Sequence, residues 1–151
     1  MASRVFRFEA DFAGDLRCLP MAVRRKLDLA GVKLKLVHWH GLQPEERQRL
    51  LDWPDGPGPI QALRLWLLER SRQLPQGPAS TLPIADDPPW RGPTPPAELR
   101  VAAAPLGLEL SSEAWAQLPD LQRCALLKLS RPGHEHRNLP AALREFGLLP
   151  G

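Results

Sequence analysis

Residues 75–96, PQGPASTLPIADDPPWRGPTPP, hold eight prolines in 22 positions. Proline offers no N–H and its ring clashes with the preceding turn, so neither a helix interior nor a central strand crosses this stretch. The chain must place its regular structure on either side of an extended, semi-rigid linker. Trp90 lies inside that linker. An indole left in water gains nothing, so the segment is expected to lie over the protein surface with Trp90 docked on it.

The flanking regions read as helical. Leu19, Val23, Leu27 and Ala30 recur at helical spacing over residues 16–30, with Pro20 in the first turn and Gly31 as a stop. VKLKLV, residues 32–37, reads as a short strand or extended connector. Pro44 opens a second helix with Glu45 and Glu46 in its first turn, where acids favour the helix dipole. Pro59 starts a third, with Ile60, Leu63, Trp66, Leu67 and Leu74 on one face. Beyond the linker, helical signals cover 97–104, 112–118, 119–130 and 139–147. Only residues 5–12, VFRFEADF, alternate with period two: Phe6, Phe8, Ala10 and Phe12 on one side, Arg7, Glu9 and Asp11 on the other. That predicts a half-buried extended segment.

The two flanks resemble each other at an offset of 76 residues. Pro20, Arg24, Gly31, Leu34, Trp39, Leu42, Arg47, Leu50 and Leu51 return as Pro96, Arg100, Gly107, Leu110, Trp115, Leu118, Arg123, Leu126 and Leu127. These are nine identities in 32 ungapped positions, where composition alone gives roughly two or three. The expected fold class is therefore all-α: two packed three-helix repeats, about 16–74 and 94–148, related by a pseudo-twofold internal duplication. An extended N-terminal segment precedes them and the Pro-rich linker 75–96 joins them, all within a single domain, 1–151. A unit of about 50 residues is marginal alone, which favours packing of the two.

Several function classes fall away. No apolar run approaches the roughly 20 residues that span a bilayer. MASRVFRFEADF has no apolar core and carries acids early, so it is not a signal peptide, and a cytoplasmic location is expected. Cys18 and Cys124 read as free, buried thiols in that compartment. The basic residues Arg24, Arg25, Lys26, Lys33 and Lys35 are interspersed with acids and spread around a helix. They read as solvated faces, and nucleic acid is the weakest of the partner classes. No nucleophile, phosphate-loop or dinucleotide signature is present, so no enzymatic activity and no catalytic residue is expected.

Histidines recur as H-x-H at His38/His40 and His134/His136. On a strand each pair would share a face; on a helix the two side chains diverge by roughly 200° and cannot chelate together. The repeat places Ala114 and Ala116 opposite His38 and His40. No metal is assigned to them, and capping or surface roles are expected. Trp39 and Trp115, by contrast, read as core. The most distinctive polar stretch is LSRPGHEHRN, residues 129–138, where Pro132-Gly133 forces a turn. Arg131, His134, Glu135, His136, Arg137 and Asn138, with Trp90, are the candidate partner-binding residues, because loops that concentrate varied polar groups tend to carry function.

FEADF (8–12), LRCLPMAVRRKLD (16–28), GVKLKLVHW (31–39), DDPPW (86–90), ALLKLSRPGHEHRN (125–138) and ALREFGL (142–148), taken together and in order, resemble the nitrate reductase-associated protein family. The departures fall mainly at 53–59 and 74–85, positions that tolerate change. The resemblance implies a small bacterial cytoplasmic protein linked to assimilatory nitrate reductase, apo or holo, as its protein partner. It implies an accessory or maturation role in nitrate assimilation; with no catalytic signature, no spanning run and no ligand-set spacing in the sequence, no enzymatic activity, no membrane partner and no resident cofactor are expected. It carries over no catalytic residues. The competing class is a metal or cofactor carrier built from the His and Cys residues.

Overall fold

A computed structural model of the chain describes residues 5–83 and 88–150, apart from the side chain of His134. The described chain is mostly helical, as expected. It divides into two compact units, residues 1–86 and 87–151, with the boundary inside the Pro-rich stretch.

In the first unit, Arg7–Glu9 forms a 3-10 turn that leads into α1 (Ala10–Ala13). This corrects the extended reading of residues 5–12. A lone strand there would have no partner. Instead, the Glu9 carboxylate folds back onto the Phe6 N–H (2.9 Å) and closes a turn, and Phe6 and Phe8 stack at 5.5 Å. The other Glu9 oxygen accepts the N–H of Met21, the first residue of α2 (Met21–Ala30), at 2.9 Å. Glu9 is buried rather than on the polar side. It supplies the N-terminal cap of α2 that Pro20 lacks a side chain to give.

Gly31 ends α2 with φ 70°, a left-handed cap that glycine adopts without strain. The chain then runs through β1 (Val32–Lys33) into α3 (Leu36–Gly41), α4 (Pro44–Asp52) and α5 (Pro57–Arg72). α4 opens with Pro44 at its first position and a reciprocal cap between Gln43 and Glu46. Glu46 also takes both Nε (2.7 Å) and Nη2 (3.1 Å) of Arg70, which ties α4 to α5. β2 (Ser80–Thr81) pairs antiparallel with β1, Val32 opposite Thr81 and Lys33 opposite Ser80. Proline on both sides confines β2 to two residues of an edge strand. Val23, Leu27, Trp39, Leu50, Leu63 and Leu67 form the core.

In the second unit, Pro89–Arg91 is a 3-10 turn. α6 (Ala97–Ala103) follows, then a 3-10 turn at 104–106 and a left-handed Gly107 (φ 78°). α7 (Ser112–Ala116) is capped by the Ser111 hydroxyl, which accepts the Ala114 N–H. α8 (Asp120–Ser130) and α9 (Leu139–Glu145) complete the unit, joined by a 3-10 turn at His134–Asn138. Leu99, Trp115, Leu126, Leu129, Leu139 and Leu143 are buried. No helix among the described residues is long and apolar enough to cross a membrane.

Candidate functional site

The tryptophans flagged by the sequence sit at the centre of two matching sets of contacts. Trp39 and Trp115 are both 0% exposed. A buried indole must find an acceptor for its N–H. Trp39 Nε1 donates to the Leu16 carbonyl at 2.7 Å, and Trp115 Nε1 donates to the Gly92 carbonyl at 2.9 Å. Arg47 lies over the Trp39 ring, 5.9 Å from its centroid, and donates Nε to the Trp39 carbonyl and Nη2 to that of His40. Arg123 lies 5.3 Å over Trp115 and donates Nε to the Trp115 carbonyl and Nη2 to that of Ala116. Each guanidinium thus fills the C-terminal carbonyls of a short helix while stacking on its aromatic residue. The acceptor backbones differ: Leu16 has φ 63°, whereas Gly92 is extended.

Two of the histidines are structural. His38 Nε2 lies 3.1 Å from the Gly77 carbonyl, which only accepts, so Nε2 carries the proton. Nδ1 then accepts the Lys35 N–H at 3.1 Å. Both ring nitrogens are occupied, and His38 takes the place of the acid in a capping box at the start of α3. His40 Nε2 donates to the Arg17 carbonyl at 2.8 Å. Among the described residues, no three or more His, Cys, Asp or Glu side chains converge as metal ligands. Cys18, half-buried, and Cys124, buried, are not joined in a disulfide.

The loop singled out for partner binding connects α8 to α9. Arg131 caps the end of α8 in extended conformation, and Gly133 turns with φ 138°. Arg131 Nε pairs with Glu98 at 3.6 Å, with more than half of both side chains in water; such a pair adds little stability. His136 Nδ1 lies 3.0 Å from the Leu129 carbonyl and therefore holds its proton there, which pins the ring to the end of α8. Arg137 is exposed, and Glu135, His136 and Asn138 are half-buried. Trp90, the remaining candidate, is docked as expected, and it is buried. Arg91 beside it donates Nε to Asp120 Oδ2 at 2.9 Å, at the start of α8. Trp90 Nε1 has no hydrogen-bond partner among the described residues.

Sequence reasoning missed Lys26, read there as a solvated charge. Lys26 is only 5% exposed, and its Nζ donates to the Leu50 (3.0 Å) and Leu51 (2.6 Å) carbonyls near the C-terminus of α4. Arg64 does the same for α2: its Nη1 donates to the Ala30 (2.8 Å) and Gly31 (3.0 Å) carbonyls. No local sequence signal marks either role, because the acceptors lie far away along the chain.

A family model described as the conserved nitrate reductase-associated protein matches residues 5–146. Comparison with curated proteins and with solved structures finds no match.

Proposed function

The chain belongs to the conserved nitrate reductase-associated protein family, and on that premise we propose that it is a non-catalytic accessory protein of the cytoplasm that binds assimilatory nitrate reductase and supports its activity. The family match over nearly the whole chain carries this reading. Mechanistically, the protein would bind one conformation of the reductase, apo or holo, more tightly than others and so raise its population. The proposed contact surface is Arg131, His134, Glu135, His136, Arg137 and Asn138, together with Trp90. The pinned ring of His136 and the turn at Gly133 favour it, since a pre-formed loop loses little entropy on binding.

We also read the chain as an internal duplication with an offset of 76. The recurrence of the Trp–Arg–carbonyl set supports this, as does the left-handed glycine after α2 and again after α6.

Titration of purified reductase, apo and holo, with the untagged chain tests the function. Binding that Arg131→Glu/Arg137→Glu weakens at least about tenfold is expected for contact charges. No binding in any cofactor state would sink the reading. Stoichiometric metal in the untagged chain would favour a carrier instead.

A further inference from the structure

The offset of 76 also sets a paired strand against a segment, outside any helix or strand, whose backbone is not so paired. After α2, the Gly31 carbonyl accepts the Leu82 N–H at 2.8 Å and Arg64 Nη1 at 3.0 Å, and Val32–Lys33 pairs with Ser80–Thr81. This side of the first unit is closed: Ala30 is 1% exposed and Val32 2%. The corresponding residues after α6 are Leu106, Gly107, Leu108 and Glu109. Leu108 N–H bonds back to Ala103 and Gly107 N–H to Ala104. The Gly107 carbonyl and the N–H and C=O of Glu109 have no hydrogen bond to any described residue. Pro140 stands where Arg64 would be.

The side chains follow the same contrast. Leu106 is 37% exposed and Val101 73%. Val101, Ala104 and Pro105, at i, i+3 and i+4, are all exposed and make one apolar stripe leading to this edge. Glu109 and Glu113 are exposed beside it, where the first unit has Lys33 and Val37. Backbone groups without partners, flanked by apolar surface, are what strand addition uses.

We propose that Leu108–Leu110 is an open edge that receives, in antiparallel, an extended segment of a partner protein, apolar toward Val101 and Leu106 and basic toward Glu109 and Glu113. The chain's own Ala79–Leu82 shows the mode, because it occupies the equivalent edge of the first unit. Partner identity rests on the accessory reading above; the edge itself does not.

The test therefore has two arms, both on the full chain. In the first, a peptide copying residues 76–83 with an added N-terminal arginine, which the antiparallel register brings toward Glu113, is titrated into isotope-labelled protein. Amide shifts centred on Gly107, Glu109 and Leu110, abolished by Glu109→Pro and by Val101→Lys, are expected. No shift at up to about 1 mM peptide overturns the proposal. Val101→Lys keeps the test valid where Glu109→Pro does not fold, since Val101 is on the surface. In the second arm, both variants are titrated with nitrate reductase, and a loss of affinity of at least about tenfold is expected. Wild-type binding that both variants retain overturns the edge as the reductase contact and leaves the accessory reading standing. Absence of wild-type binding overturns the accessory reading, and the peptide arm then decides the edge alone.

Discussion

Arg47 and Trp39 are joined twice: the guanidinium stacks over the indole ring, and its Nε donates to the Trp39 main-chain carbonyl at 3.0 Å. A flat, delocalised cation can do both at once; an ammonium cannot. Arg47→Lys is therefore not conservative here. It is expected to lower stability by about 1–2 kcal/mol, and Arg47→Ala by about 2–3, the loss of two charged hydrogen bonds that are partly exposed. The midpoint of urea unfolding, followed by tryptophan fluorescence, measures both. Equal midpoints for wild type and Arg47→Lys would refute the argument.

Lys26 makes a second, harsher prediction. Its ammonium fills two carbonyls inside the first unit. Lys26→Met keeps the shape and removes the donors. The orphaned acceptors are expected to cost about 2–4 kcal/mol, more than an exposed lysine ever does. Calorimetry reads the change.

For His38, the tautomer fixed by Gly77 and Lys35 predicts amide behaviour. His38→Ala should speed hydrogen exchange at the Lys35 amide and cost about 1–2 kcal/mol, since one capping bond and one long-range bond are lost. His40→Ala removes a single exposed bond to Arg17 and should cost less.

The pH dependence follows from Glu46 and Asp55. Hydrogen bonds from Arg70 hold the Glu46 carboxyl below its usual range, and hydrogen bonding from Arg25 does the same for Asp55. A carboxylate depressed in the folded state contributes stability that is fully present above its unfolded value, about 4. That contribution is lost as pH falls through the folded value. Stability of the wild type should therefore fall more steeply below about pH 5 than that of Glu46→Gln. Parallel curves for the two proteins would contradict it.

Much of the fold was legible because its determinants are local. Pro20, Pro44 and Pro96 mark helix starts, Gly31 and Gly107 mark stops, and the leucines keep register between them. The Trp39/Trp115 and Arg47/Arg123 pairs stood out in the sequence, although the carbonyls that each arginine holds come into reach only in the fold. The N-terminal alternation misled because Glu9 looked like a solvent-facing residue, while its acceptor role is set by Met21, 12 residues on. Lys26 was opaque for the same reason, with its backbone partners 24 and 25 residues away; the capping role expected of His38 is local to Lys35, and only its bond to Gly77, 39 residues on, left no local signal. The candidate loop was visible as a turn at Gly133, but the fixed orientation of His136 depends on the Leu129 carbonyl and left no trace in spacing.

Because Trp39 and Trp115 are both fully enclosed and each gives its N–H to a carbonyl, the protein carries a matched pair of spectroscopic reporters, one per unit. With Trp53, Trp66 and Trp90 replaced by phenylalanine, Trp39→Phe silences the first and Trp115→Phe the second, leaving similar chromophores in similar surroundings. Each variant then reports on one unit, and denaturation of one unit can be timed against the other by comparing the two proteins under the same conditions.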